Sequence, residues 1–410
     1  MIAEIRPSKI SGTVMAPPSK SHAIRVALYS MISDVHAESF PASEDVTAAL
    51  QAVGNLGCKT VGGKIQCPGH RIRHQATLNF MGSGTTLRMM MPLLAYVGGE
   101  FVLDGDETLR KRPIRETVRI LSSMGMAISG DHLPLRMSGK VSGNDIEVPG
   151  WESSQTVSGF IYALLLEGGG RIHIIPPVVS RHYIEMTCEI LNSLGARIRL
   201  SGDTIYVERS EMRPFKGQIP GDYLLSSFYA AAAFATSGSV RIGNLPKPPQ
   251  AFGDHSIVYI LREAGIDSTY SEGSWKVSHS RGKAIEQDIS QSPDMAVSLA
   301  AFAPFLEGTT VISGIENLRN KESDRVSTIS EVVRSFGAEV ECGDKISISG
   351  PLSLNDPVVN SHRDHRIAML ASVFALSRGG SVTDAECVHK SNPGFYSDLR
   401  NLGGDILLDH

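Results

Sequence analysis

Charged and hydroxyl-bearing residues set directly against apolar runs are the part of this sequence able to do chemistry. Arg363-Asp364-His365-Arg366 leads straight into Ile367-Ala368-Met369-Leu370-Ala371-Ser372-Val373-Phe374-Ala375-Leu376, and Asp294 stands ahead of Met295-Ala296-Val297-Ser298-Leu299-Ala300. Charges rarely abut a core helix unless they are paired or functional. Pro18-Ser19-Lys20-Ser21-His22-Ala23-Ile24-Arg25 offers a Lys, a hydroxyl and an Arg within two turns, with Ser21 and Arg25 on one helix face. A phosphate or carboxylate placed there would meet all three; a capped helix followed by solvated Lys and Arg is the plainer alternative. Gly82-Ser83-Gly84-Thr85-Thr86-Leu87-Arg88 opens a helix whose backbone a small ligand can approach closely. It lacks the Gly-x-x-x-x-Gly-Lys-Ser/Thr spacing of a nucleotide-phosphate loop, so nucleotide hydrolysis is unsupported. In Asn317-Leu318-Arg319-Asn320-Lys321-Glu322-Ser323-Asp324-Arg325-Val326, Lys321 and Arg325 flank Glu322 just before an amphipathic helix. A salt-bridged helix start is the plainer reading of that run.

These motifs fall on a repeat. Six times a polar turn opens into a small-residue helix that is apolar nearly all round, beginning at Pro18, Gly82, Pro149, Pro220, Pro293 and Arg363. Such a helix must be buried, and its first N–H groups need partners, so six starts make six potential anion sites. Each is followed by a strand-like stretch and an amphipathic helix closed by a glycine: Gly57, Gly125, Gly195, Gly265, Gly337 and Gly403. Their spacing of 66 to 72 residues suits a βαβαββ module rather than a solenoid unit.

The chain has 410 residues, beyond a single ordinary core, so two domains are expected. A formal net charge of -4 argues against general nucleic-acid binding, and no apolar run reaches membrane-spanning length. No signal peptide is apparent at the start. Five scattered cysteines without a Cys-x-x-Cys pair fit a reduced, cytoplasmic compartment. The sixth module ends one strand short, and the N-terminal stretch from Glu4 to Val14 is expected to supply it. That predicts one domain of residues 1–15 and 224–410, an inserted three-module domain of residues 20–220, and a hinge near 16–20 and 220–224. Parallel buried helices would then aim their N-termini into an interdomain cleft that binds anions.

Taken together and in this order, Pro18-Ser19-Lys20-Ser21 with Arg25, Ser83-Gly84-Thr85-Thr86-x-Arg88, Lys111-Arg112-Pro113-Ile114, Ser153-Ser154-Gln155, Asp294, the Leu318 to Arg325 run, Asp364-His365-Arg366-Ile367-Ala368-Met369 and Lys390-Ser391-x-Pro393 resemble the EPSP synthase family of enolpyruvyl transferases. The resemblance covers the whole chain. It implies two inverse α/β domains, each of three βαβαββ modules with buried parallel helices, joined by a two-strand hinge. It also implies transfer of the enolpyruvyl group of phosphoenolpyruvate to the 5-hydroxyl of 3-phosphoshikimate, with neither metal nor organic cofactor, by a protein expected to be a monomer. Carried over by position, Lys20, Ser21, Arg25, Ser153, Ser154, Gln155, Ser180, Tyr183, Asp294, Asn317 and Lys321 resemble the 3-phosphoshikimate ligands. Lys20, Gly84, Arg112, Gln155, Arg325, Arg366 and Lys390 resemble the phosphoenolpyruvate ligands, and Lys20, Asp294, Glu322 and His365 the catalytic groups. Two positions depart from the family pattern: Gly82 replaces an Asn whose contact Asn79 could supply, and Asn392 replaces a common aromatic, a change read as peripheral. Two alternatives are weighed. A UDP-N-acetylglucosamine enolpyruvyl transferase would begin with Lys-Asn and carry a loop Cys or Asp near its Arg-Pro segment, whereas Lys20-Ser21 stands here with no Cys between Cys67 and Cys188. A catalytically silent anion-binding scaffold would have no reason to keep Lys20, Asp294, Glu322 and His365 at helix starts.

Overall fold

The computed structural model describes residues 1–67, 72–248 and 253–409, with the backbone alone at Asn320. The chain divides into two compact units, Met1–Pro18 with Pro220–His410, and Ser19–Ile219. Each has its own hydrophobic core. His410, at the end of the last strand expected from sequence, lies outside the described residues.

In Ser19–Ile219 the helices are α1 (Lys20–Tyr29), α2 (Glu44–Asn55), α3 (Gly84–Val97), α4 (Glu107–Arg110), α5 (Arg115–Ser123), α6 (Ser154–Glu167) and α7 (Arg181–Ser193). The other unit carries α8 (Tyr223–Ala235), α9 (Ile257–Glu263), α10 (Met295–Phe302), α11 (Arg325–Ser335), α12 (His365–Arg378) and α13 (Phe395–Asn401). As the apolar pattern requires, α1, α3 and α6 form the centre of one core and α8, α10 and α12 that of the other. Close approach is built in: a Cβ at Gly159 of α6 would lie 2.5 Å from the Met89 carbonyl oxygen of α3.

Among the described residues six four-stranded sheets cover these helices, one per module, each with a parallel pair followed by two antiparallel pairings. Three sheets borrow a strand from elsewhere in the sequence. Ile2–Arg6 lies antiparallel to both Gly380–Thr383 and Asp405–Asp409, while Ser11–Met15 runs parallel to Ser239–Gly243. The N-terminal segment therefore completes two sheets, where the sequence suggested one. Phe215–Gly217 returns to the first module, parallel to Val35–Ala37. Where the chain passes between units, Pro18 and Gly221 form an antiparallel bridge and the Asp222 N–H donates to the Pro17 carbonyl at 2.8 Å.

One correction concerns the cysteines. Lys59–Val61 and Lys64–Gln66 form a hairpin whose register pairs Lys59 with Gln66, so Cys58 and Cys67 stand opposite one another and form a disulfide. The turn is Gly62-Gly63, with φ of 54° and 79°, the left-handed pair that a two-residue hairpin needs. That dipeptide is the sequence signal for the hairpin, and the hairpin, not a Cys-x-x-Cys spacing, brings the two cysteines together.

Candidate functional site

Capping sorts the six buried helix starts. Ser19, Ser83, Ser153, Asp222 and Asp364 each turn a side-chain oxygen onto an N–H of their own helix, replacing a missing backbone partner. Asp294, at the same position before α10, makes no such bond. Its carboxylate is taken by three cations instead: Arg325 Nη1 at 2.7 Å, Lys321 Nζ at 3.1 Å and Arg366 Nη2 at 3.4 Å. Burial by itself would raise its pKa, yet Lys321, Arg366 and Arg325 hold it well below the usual carboxylate range.

Arg325, 1% exposed, organises this group. Its Nε and Nη2 fork onto Asp364 at 2.8 and 3.1 Å, Nη1 donates to Asp294, and Nη2 also reaches Glu322 at 2.9 Å. Four of the five N–H groups of a guanidinium are thereby committed to carboxylates. Asp364 is fully buried and simultaneously caps α12 through the Arg366 N–H at 3.0 Å. Burial opposes its charge, but Arg325 and then His365 keep its pKa below the ordinary value. Glu322 lies between Arg325 and Lys390, the latter at 3.5 Å. Of the sequence candidates in this unit, Asp294, Lys321, Glu322, Arg325, Arg366 and Lys390 thus form one connected group. His365 opens α12 beside them, almost fully buried, and Asn317 sits exposed in the turn Glu316–Asn320.

The other unit holds the remaining sequence candidates, in several local contacts. Lys20, the first residue of α1, pairs with Asp45 in the first turn of α2 at 2.9 Å. Arg25 is buried, its guanidinium donating to Thr187 Oγ1 at 2.8 Å, the Ser21 carbonyl at 2.8 Å and the Tyr183 carbonyl at 3.0 Å. The bland picture of a solvated Arg25 is thereby set aside: it ties α1 to α7, next to Ser21 and Tyr183. Ser180 holds the left-handed residue before α7, with φ 52° and ψ 44°. Ser153 and Ser154 begin α6, and Gln155 accepts from Arg88 Nη1 at 3.2 Å while donating to Thr85 Oγ1 at 2.8 Å. At Gly84 two guanidiniums converge: a Cβ there would lie 2.8 Å from Arg88 Nη1 and 3.3 Å from Arg112 Nη1. Burial, then the charge of Arg112, pulls the Arg88 pKa down to about 10, against an opposing pull from Glu152. Two cations drawn this close to a helix start suit an anion.

Both departures take on meaning. A Cβ at Gly82 would meet Asp106 Oδ2 at 2.9 Å, so an acid occupies the space that a larger residue would fill. Asn79 Oδ1 accepts from the Met81 N–H at 2.8 Å and shapes the turn. Asn392 is not peripheral: it is 3% exposed and donates to Tyr229 Oη at 2.8 Å, and that hydroxyl in turn donates to Asp398. The sequence reading also left out Asp45, Arg88, Glu152 and Asp364. Arg88 and Asp364 lay inside the motifs singled out, whereas Asp45 and Glu152 resemble ordinary acids of a helix start. Among the described residues, no cluster of three or more His, Cys, Asp or Glu is arranged to hold a metal ion, and no helix is long and apolar enough to cross a membrane.

Six α/β modules, with cations gathered at the starts of α1, α3, α10 and α12, define a protein built to handle small anions. The chain belongs to the EPSP synthase (3-phosphoshikimate 1-carboxyvinyltransferase) family, whose profile matches residues 5–399. Relatives named 3-phosphoshikimate 1-carboxyvinyltransferase include those of Sulfurisphaera tokodaii, 42% identical over 412 residues, and Caldivirga maquilingensis, 41% identical over 417; each alignment covers both chains in full. An EPSP synthase structure from Acinetobacter baumannii shares the fold, with a TM-score of 0.84 at 24% identity over 99% of this chain and 100% of that one.

Proposed function

We propose that this protein transfers the enolpyruvyl group of phosphoenolpyruvate to the 5-hydroxyl of 3-phosphoshikimate, releasing phosphate, in aromatic amino-acid biosynthesis. The observation that carries the reading is Asp294: a helix-start carboxylate withheld from capping, ringed by Lys321, Arg325 and Arg366, with Glu322 joined to it through Arg325.

Phosphoenolpyruvate carries a phosphate and a carboxylate, which Arg112, Arg366 and Lys390 would bind together with Lys20, Gly84 and Gln155. Arg325, with four N–H groups already donated, contributes mainly its charge and the placement of Asp294 and Glu322. Ser21, Arg25, Ser153, Ser154, Gln155, Ser180, Tyr183, Asn317, Lys321 and Lys20 would hold 3-phosphoshikimate, with Asp294 at the reacting hydroxyl. In the addition step, the 5-oxygen bonds to the central carbon, its proton leaves toward Asp294, and the methylene carbon takes a proton from Glu322. In the elimination step the carbon–oxygen bond to phosphate breaks, and Glu322 recovers a proton from the new methyl group, restoring the double bond. Lys20 and His365 stand by to neutralise or protonate the leaving phosphate. Glu322 lies between Arg325 Nη2 and Lys390 Nζ, beside the cations proposed to bind phosphoenolpyruvate. Its depressed pKa keeps Asp294 ionised to accept a hydrogen bond from the 5-hydroxyl, and makes it a weak base that holds the departing proton only briefly.

The protein is proposed to act as a cytoplasmic monomer without metal or organic cofactor, in two domains hinged where the chain crosses near residues 16–20 and 220–224. The Cys58–Cys67 disulfide departs from the usual rule for a reducing compartment, with the intracellular proteins of hyperthermophiles as the known exception. Phosphate release from phosphoenolpyruvate, measured with 3-phosphoshikimate, with UDP-N-acetylglucosamine and with no acceptor, tests the activity. Release with 3-phosphoshikimate alone is expected; release with the nucleotide sugar would overturn the reading.

A further inference from the structure

Helix α5 has no side-chain cap of its own, because Ile114 stands at the capping position. Its first turn is satisfied from another module: the Glu116 N–H donates to Glu152 Oε2 at 2.7 Å, and the Thr117 hydroxyl lies 3.4 Å from Glu152 Oε1 and 2.7 Å from the Thr156 hydroxyl. A carboxylate at a helix N-terminus is favoured both by those donors and by the helix dipole. Glu152 immediately precedes Ser153, the cap of α6, so it fixes the start of α5 to the start of α6.

A second brace runs on the other side of the same loop. Arg88 Nη2 donates to the Pro113 carbonyl at 2.9 Å, and Arg88 Nη1 holds Gln155 in the first turn of α6. The loop carrying Arg112 is therefore gripped at Pro113, by an Arg88 that also holds Gln155 in the first turn of α6, and again at Glu116, by the residue just before the α6 cap. Among the described residues Arg112 makes no ion pair of its own.

We propose that Glu152 is a positioning residue for the anion site: by capping α5 from the α6 turn, it holds Arg112 where the phosphoenolpyruvate anion is to be bound. The inference rests on the activity proposed above. It makes Glu152 act through Arg112 rather than by touching substrate, so its effect should depend on Arg112 being present.

The test is a double-mutant cycle on the full chain, with Glu152→Ala, Arg112→Ala and the pair. Glu152→Ala should raise KM for phosphoenolpyruvate roughly tenfold or more, as expected for loss of a charge-assisted bond that positions a ligand, while calorimetric affinity for 3-phosphoshikimate changes less. Glu152→Gln, which keeps an oxygen for the Glu116 N–H, should restore most of the loss. In the Arg112→Ala background, adding Glu152→Ala should change kcat/KM by less than about twofold, because coupled residues are not additive. Equal effects of Glu152→Ala in both backgrounds, or an unchanged KM in the single variant, would overturn the proposal. Should Glu152→Ala fail to fold, Glu152→Asp carries the same cycle: shorter by one methylene, it should raise KM only where Arg112 is present. A wild-type chain that turns over its substrates, with Glu152 variants indistinguishable from it, removes this inference alone; an inactive wild-type chain removes the activity with it.

Discussion

Replacing Asp364 by Asn tests how the buried carboxylate cluster is held together. The substitution keeps the size of the side chain and its capping of α12, since Asn caps as well as Asp. What it removes is half of a fork: the carboxylate accepts from Arg325 Nε at 2.8 Å and Nη2 at 3.1 Å, with Arg325 1% exposed and Asp364 fully buried. An amide offers one oxygen and turns an NH2 toward the guanidinium. Breaking a buried pair typically costs 3–5 kcal/mol; because Asp294 and Glu322 still hold Arg325, about 3 kcal/mol is expected, roughly a 10²-fold change in the unfolding equilibrium of that unit. Urea unfolding followed by Trp275 reads this directly, because Trp275 is fully buried in the same unit, whereas the chain's other tryptophan, Trp151, belongs to Ser19–Ile219 and is 44% exposed. The pH dependence has a definite sign. Asp364 has a lowered pKa in the folded state, so its stabilisation is fully present above the unfolded carboxyl value of about 3.9 and is lost as pH falls through the folded value. The gap between wild type and variant should therefore be constant near neutrality and shrink below about pH 4. A difference under about 1 kcal/mol at pH 7, or one that widens in acid, refutes the reasoning.

Glu322→Gln retains shape and hydrogen bonding but cannot carry a proton, so kcat should fall roughly 10²- to 10⁴-fold while 3-phosphoshikimate still binds by calorimetry; unchanged turnover would remove Glu322 from the mechanism. Closing the short loop from Cys58 to Cys67 is worth about 2.7 kcal/mol in the chain-entropy account, so a thiol reductant should lower the unfolding midpoint of Ser19–Ile219 in wild type but not in a Cys58→Ser/Cys67→Ser variant; equal sensitivity in both would refute it. Alkylation of the native protein should modify exposed Cys342 first and leave activity intact, because burial pushes the thiols of Cys188 and Cys387 up to about 12 and about 11; loss of activity in step with labelling would favour a cysteine-dependent enzyme.

The sequence by itself determined the buried helices and their chemistry-bearing starts. A stretch such as Tyr223–Ala235, apolar on every side, can only be interior, and Asp294 or Arg366 placed against such a stretch must find partners inside the protein. The Gly62-Gly63 turn likewise sets the register that joins Cys58 to Cys67. Only the tertiary structure decided which charge meets which. Asp364 and Arg325 are 39 residues apart, Glu152 caps a helix whose bonded N–H is 36 residues away, and Lys20 pairs across 25 residues with Asp45. Periodicity within one helix specifies the face a residue occupies. It says nothing about which neighbouring helix start packs beside that face. Ion pairs in a core are settled there, by the packing of separate modules and by the penalty for leaving any buried charge alone. Strand exchange followed the same logic: Ile2–Arg6 and Ser11–Met15 read alike as short strands, and only the open edges of two different sheets sent them apart.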